Sequence, residues 1–349
     1  MAAGLVAILR WQRCLAFALA ILGGLLATEL AVPVPWLIGG MTACAVATLA
    51  GVPLAGPPAW TERLVRVIIG VSLGPSIAAS VVSTGAGLGP IVVTALALVT
   101  LTVLGGTWWF ERRLGLSRAA AYLAAMPGGL SMLLSMTDGI GERPAVLLAH
   151  TVRIVIVVVS ISLLASTLGV SPEARPVLAS LDLGRAGDWP LVLALIGLFY
   201  GVCERVRFPG AHVILTMIAT ALLAGLTPLA VREPEVLKTV AMLVLGVVLG
   251  IEIARGERSR YLATFCGSAV YTVVVMAAGA GAAYGIAHRV DASFLVLFLA
   301  LAPGGIAEVS LIALALGLDA GLVALVHGVR FLYIVVAGPL GLWWLGRGR

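Results

Sequence analysis

Charged side chains are scarce in this chain. They make up 11% of its 349 residues, whereas a soluble protein of this size needs roughly 25% to cover its surface. A large soluble domain is therefore excluded. Hydrophobic residues reach 61%, the mean hydropathy is +1.13, and apolar runs long enough to cross ~30 Å of hydrocarbon recur from end to end. The composition predicts an all-α polytopic membrane protein.

Long polar segments are missing as well. The net charge of +6 comes from basic residues scattered in short connections, and the longest connection, 169–188, mixes acidic with basic residues. Scattered positive charge is what orientation in a bilayer requires. We therefore expect lipid as a partner and no direct contact with nucleic acid.

Cysteine and histidine are few. The four cysteines are isolated within or beside apolar segments and show neither metal-ligand spacing nor a disulfide framework. The four histidines form no His-x-His or Glu-x-x-His pair, which an oxygenase would need for a copper or iron centre. The sequence thus predicts no catalytic residue, no metal and no cofactor, and we do not expect an enzyme.

What the chain does contain is a series of twelve apolar segments, six in each half. They cover 14–32, 35–52, 64–82, 88–110, 117–136 and 144–168, then 189–203, 209–229, 236–253, 261–288, 292–318 and 320–345. The first segment follows Arg10 and Arg13, is too long for a signal-peptide core and lacks a convincing cleavage site. We expect it to remain as the first helix.

The two halves resemble each other at a nearly constant offset. Gly-Val-x-Leu-Gly at 70–74 returns at 246–250, and Pro-Gly-Gly at 127–129 returns at 303–305, both 176 residues later. Pro35 and Thr42 return after 174 residues. These matches predict a duplication, with a first membrane repeat at 1–176 and a second at 177–349.

The interrupted segments decide how the repeats are oriented. If each crosses the bilayer, the repeats are parallel; if each re-enters, every half has five spans and the second repeat is inverted. With the N-terminus in the cytoplasm, the crossing arrangement puts 14 Lys and Arg inside and 6 outside, and the re-entrant arrangement puts 15 inside and 5 outside. The positive-inside rule favours the inverted arrangement by one residue, with both termini cytoplasmic.

The two Pro-Gly-Gly breaks are candidates for a substrate path. Backbone groups freed by a proline must face protein or a wet cavity in hydrocarbon, and a helix that starts after the break directs its anion-favouring N-terminus inward. A packing kink explains one break, but two at matched positions favour a path. The predicted path residues are Pro127, Gly128, Gly129, Ser131, Arg153, Pro303, Gly304, Gly305, Glu308 and Arg330.

A His-x-x-Arg pair follows each break, with both side chains on one helix face. An arginine within a span costs at least ~2.5 kcal/mol. Arg153 and Arg330 could bind an anion, pair with Glu308 or Asp138, or donate to the carbonyls freed by the break. Because histidine titrates near neutrality, His150 and His327, together with Glu29, are candidates for proton coupling.

These motifs resemble a known family. The doubled Pro-Gly-Gly segment, the run Ala-Glu-Val-Ser-Leu-Ile-Ala-Leu-Ala-Leu-Gly at 307–317 and the later His-x-x-Arg make nearly the whole chain similar to the AbrB family of bacterial membrane proteins. The resemblance implies a duplicated membrane domain in the bacterial inner membrane. It also brings two labels, ammonia monooxygenase and regulator of gene expression. Ala307 stands where serine is common in the family, so no hydroxyl role carries over there.

Three functions follow as hypotheses. The first is a secondary transporter that moves a small anionic organic solute between the two broken helices, driven by an ion or proton gradient because no nucleotide-binding motif is present. The second is a membrane regulator that alters gene expression indirectly. The least favoured is a membrane monooxygenase. The sequence leaves open which solute or ion is used and whether the chain forms a homo-oligomer.

Overall fold

Helices account for nearly all of the secondary structure. The computed structural model describes residues 2–128, 141–169, 181–206, 208, 210–229, 231–254 and 258–346; these ranges contain no β-strand. Their α-helices are α1 (Ala2–Glu29), α2 (Pro35–Leu49), α3 (Ala59–Thr84), α4 (Leu88–Leu114), α5 (Arg118–Ala125), α6 (Arg143–Thr167), α7 (Trp189–Cys203), α8 (Ala211–Leu226), α9 (Glu235–Ala254), α10 (Arg258–Ala287), α11 (Phe294–Leu301), α12 (Ile306–Ala315) and α13 (Ala320–Gly346).

Each predicted apolar segment overlaps at least one of these helices, although residues 129–136 of the segment 117–136 lie outside the described residues. The polytopic all-α class is confirmed. The first boundary was wrong, because α1 begins at Ala2 and continues through the two arginines that the sequence placed ahead of it. It also ends earlier, at Glu29, where the backbone turns through the positive φ of Ala31 and Val34 before Pro35 opens α2.

Short helices precede both breaks and end for the same local reason. Ser117 caps α5 and Ser293 caps α11, each accepting a bond from the backbone amide three residues later. A proline disfavours helical geometry in the residue before it. Met126 (ψ 124°) and Ala302 (ψ 144°) are accordingly extended, and each short helix stops after eight residues.

Helices α4 and α10, which occupy matching positions in the two predicted repeats, run in opposite directions. Along α4 and α10, Trp109 Nε1 donates to the Gly267 carbonyl at 3.0 Å and Tyr271 donates to the Thr102 carbonyl. Further along, Gly87 packs beside Val290. Residue numbers thus fall on α4 as they rise on α10, which makes the pair antiparallel.

Glycines bring α3 close to α8 and α2 close to α9. On α3, Gly70 faces Thr216 and Gly74 faces Thr220, whose hydroxyl donates to the Gly70 carbonyl at 3.0 Å. Gly246 and Gly250 of α9 face α2 in the same manner. Numbers rise together in both pairs, so these helices are parallel and packed at backbone distance, as small residues permit.

Each interrupted segment begins and ends on one side. In the first half, the Ser117 amide, before α5, donates to Glu142 Oε1, before α6, at 3.0 Å. In the second half, Val290 lies beside Gly87, and Ser80, near the end of α3, donates to Asp319 at the start of α13. The residues before and after each interrupted segment therefore lie on the same side of the helix bundle.

The helices divide into two bundles. The glycine-packed bundle contains α1–α3 and α7–α9, and the interrupted bundle contains α4–α6 and α10–α13. Most helix packing is internal to one bundle, and the main contact between bundles is made by α13 on α3. In that contact, Gly321 of α13 packs closely against the Ser76 carbonyl of α3.

The outer surface is apolar. Leu22, Leu101 and Leu226 are 62%, 66% and 79% exposed, which is favourable only where hydrocarbon replaces water. Within the described ranges, six helical stretches are long and apolar enough to span a bilayer, and three shorter apolar helices accompany them. The chain is a multi-pass membrane protein in contact with lipid.

Candidate functional site

The two breaks meet inside the interrupted bundle. A cavity of about 20 Å³ is lined by Pro127 and Gly128 of the first break, Gly304 and Gly305 of the second, and Arg330. This volume is enough for about one water molecule. The two halves therefore contribute equivalent backbone to one small polar space.

A second small cavity adjoins the first break. It measures about 10 Å³ and is lined by Pro127, Pro303, Arg153 and Tyr271, among others. Residues of both breaks and one of the two predicted arginines thus line each cavity. In addition, Arg153 is close enough to Arg330 for their charges to act on each other.

The first His-x-x-Arg pair binds the end of α5. His150 Nε2 lies 2.9 Å from the Leu123 carbonyl, and Arg153 Nη1 donates to the Ala124 carbonyl at 3.4 Å. Arg153 Nη2 also contacts His150 Nδ1. Both side chains are buried, so they compensate carbonyls at the C-terminus of a helix, where positive charge is favourable.

The second pair repeats this arrangement at the end of α11. Arg330 Nη1 donates to the Ala302 carbonyl at 2.6 Å and to the Ala300 carbonyl at 3.4 Å. His327 differs from His150, because its Nδ1 bonds the Val323 carbonyl of its own helix at 3.0 Å while Nε2 lies 3.4 Å from Arg330. Arg330 Nε is buried and has no hydrogen-bond partner within the described ranges.

Of the three roles open to the arginines, the contacts show the donation to freed carbonyls. No ion pair joins Arg153 or Arg330 to Glu308 among the described residues, and Asp138 lies outside them. The arginines donate to carbonyls because each of them lies beside the last turn of the short helix that precedes its break.

Glu308 covers the start of α12. Gly305 is the N-cap and provides no side chain, and Glu308 is the third helical residue. Its Oε2 lies 2.1 Å from where a Cβ on Gly305 would be, the position from which an acidic residue satisfies free amides. The positive end of α12 is thus already occupied by a carboxylate, and Arg66 of α3 is a cation that acts on it.

Not every predicted residue reaches the breaks. Glu29 is the last residue of α1 and is exposed; it lines neither small cavity. Gly129 and Ser131 lie outside the described residues. The remaining predicted residues, apart from Glu308 and His150, line one or both small cavities.

Two residues near the site were not singled out in the sequence. Tyr271 lines the second cavity from the middle of α10, and Arg66 lies two turns into α3, paired with Glu62 at 3.3 Å. A tyrosine far from both ends of a long apolar helix, and an arginine one turn after a glutamate, were the available signals.

The fold and the site together define a class: a helical membrane protein whose two interrupted segments meet around buried arginines. Comparison with known sequences gives the family. Residues 36–346 match the family model AbrB, described as "Transition state regulatory protein AbrB". The chain belongs to the AbrB family.

Two relatives extend over most of the chain. It is 24% identical over 342 residues to "Putative regulator AbrB" from Escherichia coli (strain K12), covering 95% of both chains. It is 23% identical over 349 residues to "Uncharacterized protein YhjN" from Bacillus subtilis (strain 168), covering 91% of this chain and 88% of the relative.

Proposed function

We propose that the protein is a secondary transporter of a small anionic organic solute in the bacterial inner membrane, with both termini in the cytoplasm. The observation that carries the proposal is the meeting of both breaks in one cavity with Arg330. Broken helices from two repeats that meet inside a bundle are the usual construction of a solute site in such carriers.

The charges around the breaks support an anionic solute. Arg153 and Arg330 contribute two positive charges, and Glu308 contributes one negative charge. Arg330 Nε remains without a partner among the described residues, and a carboxylate would satisfy it. An arginine held between two carbonyls is already oriented, so binding loses little side-chain entropy.

The proposed movement is of one bundle against the other. The two small cavities are too narrow for an organic solute, so transport requires the site to open. Backbone-distance packing between α3 and α8 keeps the glycine-packed bundle rigid, whereas the α13–α3 contact joins the two bundles. The antiparallel course of α4 and α10 supports inverted repeats, which provide two equivalent ways of opening.

The test is a transport assay in reconstituted vesicles. A panel of small organic anions is first screened by thermal stabilisation of the purified protein, and flux of the best binder is then measured. We expect Arg153→Ala and Arg330→Ala to lower flux at least tenfold. Arg10→Ala, an exposed arginine remote from the breaks, should transport normally.

Folding and binding are separated by a second pair of variants. Arg153→Lys and Arg330→Lys keep a donor near the carbonyls but lose the planar fork. They should melt near the wild-type temperature and still bind the anion more weakly. Unchanged flux in all four variants would exclude the arginines from the solute site.

A second candidate is indirect regulation, because the word "regulator" stands in the name of one relative. The proposal is that expression responds to the solute that the protein moves. A reporter that responds equally in wild-type and Arg330→Ala cells would separate regulation from transport. A monooxygenase role receives no support from the sequence, since the four histidines lie in separate segments.

A further inference from the structure

A cavity much larger than the two at the breaks lies elsewhere in the described structure. About 560 Å³ lies between α4, α5 and α13, a size typical of ligand sites. We call it the α4–α13 cleft and define it by Val103, Thr107, Arg112, Arg118, Tyr333 and Ala337. It is separate from the small cavities, although Ile334 borders both the cleft and the cavity at Arg330.

The cleft is closed at the back and open at the side. Tyr122 of α5 donates to the Ala337 carbonyl of α13 at 2.9 Å, and Thr100 bonds Tyr333 at 2.9 Å. These two contacts tie α13 to α5 and α4. At the open side, Leu104, Trp108 and Trp344 are 64%, 57% and 65% exposed. The opening therefore faces the hydrocarbon that surrounds the spans.

The walls change from apolar to charged along α4. From Val99 to Trp108 the wall carries no charge over roughly 14 Å, at 1.5 Å per residue, and Val99, Val103 and Leu104 form its aliphatic part. Beyond it, Arg112 and Arg118 line the cleft from the end of α4 and the start of α5, and Glu111 lines it as well. Two positive charges and one negative charge give this end of the cleft a net positive charge. Trp108 and Trp344 flank it, as aromatic residues do at a lipid headgroup level.

From this arrangement we propose that the α4–α13 cleft binds an anionic phospholipid from the bilayer. The phosphate pairs with Arg112 and Arg118, which suit it geometrically, and an acyl chain lies along the aliphatic wall between α4 and α13. Basic pockets between spanning helices recognise lipid head groups in this manner. The proposal does not rest on transport, because it concerns a different cavity and is measured by binding.

The experiment is native mass spectrometry of the full-length protein, titrated with phosphatidylglycerol or phosphatidylcholine in detergent. The wild-type protein should retain one phosphatidylglycerol in preference to phosphatidylcholine. Arg112→Gln/Arg118→Gln should bind phosphatidylglycerol about thirty-fold more weakly, which corresponds to ~2 kcal/mol. Arg10→Gln/Arg113→Gln removes the same charge outside the cleft and should bind like wild type.

A steric variant tests the cleft itself. Thr107→Trp fills the space and leaves both arginines in place, so it should also lose the lipid while melting like wild type. Three results would overturn the assignment: equal binding of both lipids, equal binding by the two double variants, or displacement of phosphatidylglycerol by a soluble alkyl phosphate at lower concentration. The last result would identify a free amphipathic anion as the ligand.

Discussion

At the scale of single residues, the arginines explain how the breaks are tolerated. A buried guanidinium is unfavourable unless its donors are satisfied, and carbonyls at a helix end are unfavourable in hydrocarbon unless they receive donors. Arg153 on Ala124 and Arg330 on Ala302 each provide a carbonyl with a donor and a guanidinium with an acceptor, although Arg330 Nε keeps no partner among the described residues. The sequence could predict that some group would do this, but it could not say which carbonyls, because the contact joins residues 28 or 29 positions apart.

A second buried charge predicts a pH dependence of stability. Glu233 lies in the connection between α8 and α9, where it accepts a bond from Ser72 while its Oε1 is buried without a partner among the described residues. Burial raises the pKa of Glu233 from 4.5 to about 7. The folded protein therefore favours the protonated carboxyl, a contribution that is complete below pH 4.5 and is lost as the pH rises to about 7.

We expect the wild-type melting temperature to fall between pH 4.5 and 7, by the equivalent of up to ~3 kcal/mol. Glu233→Gln should remove most of this slope, because an amide does not titrate. Glu235→Gln, two residues further on and paired with Lys238, should retain it. Parallel slopes for wild type and Glu233→Gln would mean that another group is responsible.

At the scale of elements, the sequence predicted where the helices lie better than it predicted which helices pack against each other. The segment 189–203 matches α7 at both ends, and the break in 292–318 falls where α11 gives way to α12. The hydropathy of a segment and its prolines determine where a helix lies and where it is interrupted, so both can be predicted from a short stretch of sequence. The extension of α1 to Ala2 was missed because positive charges were taken as a boundary, although a helix accepts arginine readily.

Glycine contacts give a prediction for the α3–α8 pair. A Cβ at Gly74 would lie 1.9 Å from Thr220 Oγ1 and 2.7 Å from the Ala221 amide nitrogen. Gly74→Ala must push α8 away, so we expect a loss of about 1–3 kcal/mol. Gly105→Ala on α4 meets open space and should be neutral or stabilising by up to ~1 kcal/mol. Thermal melting in detergent compares the two; equal effects would contradict close packing.

At the scale of the whole molecule, the relation between the halves was the hardest property to predict. Loop charges favoured inversion by a single residue, because short connections carry few charges in either arrangement. The direction of one half relative to the other depends on contacts such as Trp109 with Gly267, which span 158 positions. No local pattern encodes that pairing.

Inversion predicts the sidedness of individual positions. Single cysteines at Arg113 and Arg205, in a background without the four native cysteines, should react with an impermeant maleimide from one side of the membrane. Cysteines at Ala86 and Arg289 should react from the other side. If the interrupted segments crossed the bilayer instead, Arg205 would separate from Arg113 and join Ala86.

The bond between Ser117 and Glu142 bears on the order in which the helices reach their places during synthesis. α5 has eight residues and is ~12 Å long, less than half of a ~30 Å membrane, so it cannot insert as an independent span when it leaves the ribosome. Glu142, which holds its beginning, is translated later and is fixed only once α6 is in place. We therefore expect α5 to reach its final position after α6, so that insertion does not proceed strictly from the N-terminus to the C-terminus.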